Sequence, residues 1–319
     1  MTDAYTMDEL RSAAQSAVRA PSMHNSQPWR FRLRDGGIDV CIDRDRLPAI
    51  PAREWAARIS CGAAVFNLRL ALAVAGRPAV VRLRPYPLGA DVAAHLVPDD
   101  ARPPARMEQT LYDAIERRHS NRAPFWATPV PGDVRFRLVQ AARAEGAWLE
   151  MVIGASAVGA IAEIINAANR VLDREQGYLD EIARWTRREP ARDGVPVAAA
   201  GYATEPQDLL PQRAFGARTR APGRDYEPEP LVAVLGSAGD TDADQVNAGQ
   251  ALQRVLLTGT DAGLAASMLS QPIEVAAARE QLRLALGRYG TPQMVMRIGY
   301  GQPGFPTPRR DVAEVLETT

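Results

Sequence analysis

Lysine is absent from this sequence, so all 38 of its basic residues are arginine. Schiff-base chemistry through a lysine amine is thereby excluded, and any bound anion must be held by planar, bidentate guanidinium groups. Cysteine is scarce. Cys41 and Cys61 lack the C-x-x-C spacing and read as small core residues, reduced in a cytosolic chain. The three histidines, His24, His95 and His119, stand far apart and form no helix-face pair, so no metal site is expected. An excess of either charge is also missing. With 38 acidic residues against 38 basic ones, no global field favours nucleic acid or an anionic membrane. No run approaches the ~18 consecutive apolar residues of a membrane span. The segment from Met1 to Ala20 lacks the apolar stretch of ~7 to 15 residues that a signal peptide needs. A cytoplasmic protein is expected.

What is present is an ordinary globular composition, 46% hydrophobic and 24% charged over 319 residues, enough for one large core or two fused ones. Asp8 to Arg19 reads as a helix ended by Pro21. Trp29 to Leu33 and Ile38 to Asp43 alternate as strands around the turn Asp35-Gly36-Gly37. Cys61 to Gly76 is apolar nearly all round apart from Asn67 and Arg69, the mark of a buried helix, and Gly76 suits its cap. A second helix of this kind runs from about Gly249 to Gly263. One constant offset sets Gly62 on Gly249, Ala64 on Ala251, Val65 on Leu252, Leu68 on Val255, Leu70 on Leu257, Ala75 on Ala262 and Gly76 on Gly263. Two buried helices of like composition would also match in part, but glycine at both ends at constant spacing favours a duplicated unit. Strands at Trp148 to Ile153, Leu231 to Gly236 and Met294 to Ile298 belong to the second copy. The expectation is an α+β chain with halves at 1–107 and 108–319. An insert at 166–230, without counterpart in the first half, holds a helical run to about Arg188 and then a Pro- and Gly-rich stretch. Trp185, Tyr202, Phe215 and Tyr226 argue that the insert packs.

Four segments carry chemistry. Ala20 to Phe31, APSMHNSQPWRF, fixes hydroxyl and amide groups between two prolines, and it resembles the flavin-contacting loop of the nitroreductase family. Its matching positions are Pro21, Ser22, Met23, Asn25 and Gln27. Glu116 to Phe125, ERRHSNRAPF, is similar to that family's N-terminal phosphate motif, which implies that Arg118, Ser120 and Arg122, with His119 beside them, hold the phosphate and ribityl chain of FMN. A solvated basic helix end is the plainer alternative for this segment. Ile298 to Arg310, IGYGQPGFPTPRR, resembles the family's closing strand and its two basic phosphate ligands, here Arg309 and Arg310. The same segment satisfies a literal G-x-G-x-x-G, but Pro303, Pro306 and Pro308 prevent the helix that a dinucleotide fingerprint must open. Ser270 to Glu274 resembles the loop whose backbone approaches flavin N5, which points to Gln271, Pro272, Ile273 and Glu274.

The two halves have complementary losses. The first has no Arg-x-Ser-x-Arg run ahead of its loop, and in the second Ala144-Glu145-Gly146-Ala147 leads into Trp148 with no Pro-Ser, Asn or Gln-Pro. Members of the family are homodimers whose flavin draws one motif from each chain. The resemblance therefore implies a pseudo-dimer, sufficient as a monomer, with one FMN site, similar to the Acg-like branch. It also implies NAD(P)H-dependent reduction of nitroaromatics or quinones, with small molecules as the sole partners. FMN storage under a lid is the alternative, and an α+β protein without flavin is the bland one.

Overall fold

The computed structural model describes residues 3–47, 53–83, 89–203, 205, 208–213, 215–216 and 230–317, so Tyr226 lies outside the described residues. Helix α1 (Met7–Ala17) opens with a capping box in which Thr6 and Glu9 satisfy each other's backbone N–H groups. A hairpin follows, β1 (Trp29–Arg34) and β2 (Gly37–Ile42). Its loop is two residues long, because Asp35 and Gly36 both take positive φ (50° and 76°), whose twist matches that of the strands. Next come α2 (Trp55–Val74), β3 (Ala79–Leu83) and β4 (Val92–Pro98).

After α3 (Arg106–Ala114) the pattern recurs: α4 (Gly132–Arg143), β5 (Trp148–Val152), β8 (Leu231–Ser237), α7 (Asp242–Asp261), β9 (Ala265–Leu269) and β10 (Thr291–Gly299). Each four-stranded sheet is antiparallel throughout. Ranked along the chain, both have the order first, second, fourth, third. Short helices α8 (Gln271–Glu274), α9 (Ala276–Leu286) and α10 (Val312–Val315) complete the C-terminal part.

The two long helices cross at the glycines that the sequence offset pairs. A Cβ on Gly62 would lie 1.9 Å from the Val246 carbonyl oxygen, and one on Gly249 would lie 2.1 Å from that of Ile59. Backbone touches backbone there, which only glycine permits. The offset of 187 positions also carries both ends of α2 onto both ends of α7, Trp55 to Asp242 and Val74 to Asp261. Each helix reaches into the other sheet's core. Trp55 and Ile59 pack with the second sheet, whereas Val246 packs with the first. Buried on every side, α2 passes a composition test for a membrane span, yet 83% of that window is buried. Two polar residues in its C-terminal half are answered: Asn67 donates to the Ser16 carbonyl (2.9 Å) and accepts from Gln253 (2.7 Å), and Arg69 pairs with Glu145 (2.7 Å).

The insert differs from expectation at its start and in its helix. The segment joining β5 to β8 is 153–230, standing where the first sheet has a two-residue turn. Helix α5 (Ala155–Leu172) runs across position 166, and Asp173 to Glu175 separate it from α6 (Gln176–Trp185), so no single helix reaches Arg188. Two-residue strands β6 (Thr186–Arg187) and β7 (Val195–Pro196) pair in parallel and fold the insert back on itself.

Candidate functional site

The loop between α1 and β1 holds a tight 3-10 turn at Met23–Asn25 with three non-glycine residues in the left-handed region, His24 (54°), Asn25 (54°) and Gln27 (53°). Such conformations cost about 1–3 kcal/mol each and persist where the surroundings enforce them. Here the amides do so. Asn25 Nδ2 donates to the Gly194 and Pro308 carbonyls (2.9 and 3.0 Å), while Gln27 Nε2 donates to Arg192 O (2.9 Å) and Gln27 Oε1 accepts from Arg310 N (2.8 Å). Asn25 and Gln27 therefore brace the loop, and Pro21, Ser22, Met23 and His24 are left to face a cavity.

That cavity measures about 80 Å³, well under the ~300–1,000 Å³ typical of small-molecule sites. It lies between the halves. Trp55, Ile59 and Ser60 of α2, Leu252 of α7, Ser267, Met268 and Ser270 at the end of β9, and Ser120 and Arg122 line it, and Gln212, Arg213 and Phe215 of the insert cover it. Arg122 is half-buried, and its desolvation draws its pKa down to about 10, with Arg213 adding repulsion. It donates to Ala199 O (2.9 Å) and lies 5.2 Å over the Phe215 ring. Among the described residues no carboxylate pairs with it.

Outside the lining of this cavity, with Arg19 and Arg118 two residues from its Pro21 and Ser120, three arginines gather, and Arg118 and His119 line a separate small cavity beside Leu138 and Leu256. Arg118 Nη2 donates to Arg19 O (3.2 Å); Arg309 donates to Asn25 Oδ1 (2.9 Å) and to the Arg19 and Ala20 carbonyls. Only the outer Arg19 meets a carboxylate, Glu116 at 3.3 Å. Burial lowers Arg118 to about 10, and burial, then Arg118 and Arg19, lower Arg309 to about 9. His119 is lowered by burial and then by Arg118, Arg309 and Arg19. The Nε atoms of Arg118 and Arg309 are buried with no partner. Like charges held together at least partly out of water, with their Nε donors unspent, have the chemistry to take an anion. From this cluster the segments Arg19 to Met23 and Arg118 to Arg122 both lead into the cavity.

Some expected residues lie elsewhere. Arg310 points away from the cluster, spent on Asp43 (3.3 Å) and the Gln27 and Glu314 carbonyls. Gln271, Pro272 and Ile273 are buried behind the cavity wall, where their neighbour Ser270 faces in. Glu274 pairs instead with Arg213 and Arg53. The three glycines of the G-x-G-x-x-G run serve close packing: a Cβ on Gly299 or Gly301 would strike the Phe125 ring, and one on Gly304 the Ser120 carbonyl. Regular helix resumes only at Val312. Sequence reasoning missed His24, Trp55, Ser60 and Arg213. A polar end on an otherwise apolar helix could have pointed to Ser60, and an arginine between aromatics in an unmatched insert to Arg213. Among the described residues no group of three metal-binding side chains occurs.

No family model matches the chain. It is 33% identical over 329 residues to the Mycobacterium tuberculosis protein named "Putative NAD(P)H nitroreductase Rv3131", covering 97% of this chain and 91% of that one. To "Putative NAD(P)H nitroreductase acg" of the same organism it is 31% identical, covering 98% and 96%. Among solved structures, the FMN-dependent nitroreductase NfnB from Mycobacterium smegmatis in complex with NADPH superposes with 21% identity and a TM-score of 0.42, covering 66% of this chain and 98% of that chain.

Proposed function

The chain belongs to the nitroreductase family, and from that premise we propose that it is an FMN-dependent oxidoreductase using NAD(P)H to reduce nitroaromatics or quinones. Two unequal halves, a duplicated and fused pair, would share one flavin and act as a monomer. The observation that carries this reading is the acid-poor pair of buried Arg118 and half-buried Arg309 beside the cavity. A phosphate dianion supplies what that cluster lacks: charge compensation and acceptors for the orphaned Nε atoms. Ser120, Ser22 and Ser60 offer hydroxyl groups further in, and Trp55, Met268 and Phe215 give apolar walls suited to an aromatic ring.

When bound, FMN supplies the hydride chemistry, accepting two electrons from a nicotinamide and passing them to an oxidised acceptor. The chain's part is to hold and tune. Arg122, a cation with only a carbonyl and an aromatic face as partners, favours added negative charge nearby. His24 stays neutral, because burial and then Arg213, Arg122 and Arg53 lower its pKa well below the ordinary value. Retention of FMN by the purified protein, and its bleaching by NAD(P)H without oxygen, test the proposal. A coloured protein that only dithionite bleaches would favour the second reading, FMN storage. The observation behind that reading is the insert lying over the cavity mouth through Gln212, Arg213 and Phe215.

A further inference from the structure

Resting on the FMN reading above, we infer that Arg213 is the gate of the cavity, the residue whose displacement decides whether a nicotinamide reaches the bound flavin. Among the fastenings of the insert, which include Arg46 to Asp193, Arg122 to Ala199 O and Ser267 to Gln212, two differ in character. One fastening is a clamp of main-chain groups. Gly194 donates its N–H to Asn25 O (3.1 Å), and the carbonyls of Gly194 and Arg192 accept from the Asn25 and Gln27 amides.

The other fastening is charged and sits at the cavity wall. Arg213 donates to Ser270 Oγ (2.9 Å), contacts Glu274 and His24 Nε2, and lies 5.2 Å over the Tyr178 ring. Arg53 completes the network through Glu175 (2.7 Å), Glu274 (3.4 Å) and Glu181 (3.5 Å). A guanidinium only donates, so His24 Nε2 is its acceptor and the imidazole proton sits on Nδ1, 3.5 Å from Glu181.

Three features make Arg213 a gate instead of a fixed wall. Among the described residues its partners are all side chains, on a long flexible stem, so it can withdraw while the main-chain clamp acts as pivot. The shut arrangement also holds His24 Nδ1, Arg53 Nη1, Glu181 Oε2 and Glu274 Oε2 at ion-pair distances of 3.4–3.5 Å and short of hydrogen bonds, weaker contacts that water can replace on opening. Finally, Arg213 lines the cavity and binds the hydroxyl of Ser270, the first residue of the segment that resembles the N5 loop.

The test uses the FMN-loaded protein, mixed anaerobically with NADPH while flavin absorbance is followed. Arg213→Ala should raise the bleaching rate by about tenfold or more and speed FMN loss on dilution. Because that change leaves Glu274 to Arg53 and Ser270, the pair Arg213→Ala with Glu274→Gln should give the same acceleration in a chain that has lost one charge of each sign. Arg283→Ala, which breaks a surface pair with Glu280, should leave the rate unchanged. FMN-loaded gate variants that bleach at the wild-type rate overturn the gate and leave the FMN reading standing. A wild-type protein that holds no FMN overturns both.

Discussion

The two halves share a sheet order and a central helix, yet they differ at one connection. Between its first two strands the N-terminal sheet spends two residues, Asp35 and Gly36, and the C-terminal sheet spends 153–230. That difference falls beside the cavity. The half with the short turn contributes the loop Pro21 to His24; the half with the long insert contributes Arg118 to Arg122 and the cover formed by Arg213 and Phe215. A repeated frame can thus hold one site with each half supplying what the other lacks, because the helix crossing at Gly62 and Gly249 sets both against the same space.

The largest expected effect strikes the charged end of that shared site. Arg118→Ala with Arg309→Ala should weaken FMN binding by about a hundredfold or more, given ~1.5–3 kcal/mol for each hydrogen bond to a charged group, as measured by quenching of flavin fluorescence. Without FMN the same variant should melt no lower than wild type, since it removes two neighbouring like charges, one buried and one half-buried. Equal loss of stability in the apo state would mean that the arginines serve the fold.

The crossing itself predicts a symmetric penalty. Gly62→Ala and Gly249→Ala should each cost about 3 kcal/mol or more by urea unfolding, because the added Cβ meets backbone that cannot move aside. A penalty confined to one glycine would break the equivalence of the halves. Smaller still is the contrast between neighbours: Arg310→Ala should lower stability by about 1–3 kcal/mol through its buried pair with Asp43 and leave FMN affinity near wild type, whereas Arg309→Ala should do the reverse.

The smallest effect is in pH. His24 is held neutral in the fold with its pKa depressed below 6.5, so the unfolded chain binds more protons in that range. Its contribution is present in full above 6.5 and is lost as pH falls through the folded-state value. Glu181, raised chiefly by burial, opposes this trend with the other sign. Urea midpoints at about pH 7.5 and about pH 5.5 should therefore differ less in His24→Gln than in wild type; an unchanged difference would contradict the assignment.

Much of this was legible in residues whose constraints are local. The hairpin at Trp29 to Ile42 follows from alternation around Asp35-Gly36, and the buried helices from apolar residues on every face. Strands β3 and β4 were not individually legible, since Arg82 and His95 interrupt their apolar pattern: Arg82 is exposed, and His95 is answered by its cross-strand neighbour Asp39 (2.8 Å). At the site, Arg118, Ser120 and Arg122 stand along one path from cation cluster to cavity, as their spacing suggests. Asn25 and Gln27 carry the expected amides but spend them on Arg192, Gly194, Pro308 and Arg310, partners 165 or more positions away. No local pattern encodes which of two adjacent arginines turns inward, nor that Arg213 closes over His24.

Measuring bound FMN per chain on the purified protein, by flavin absorbance against protein concentration, reaches the shared site most directly. The halves acting together predict one FMN per chain, lost on replacing Arg118 and Arg309. Two per chain, or one that survives that double replacement, would contradict it.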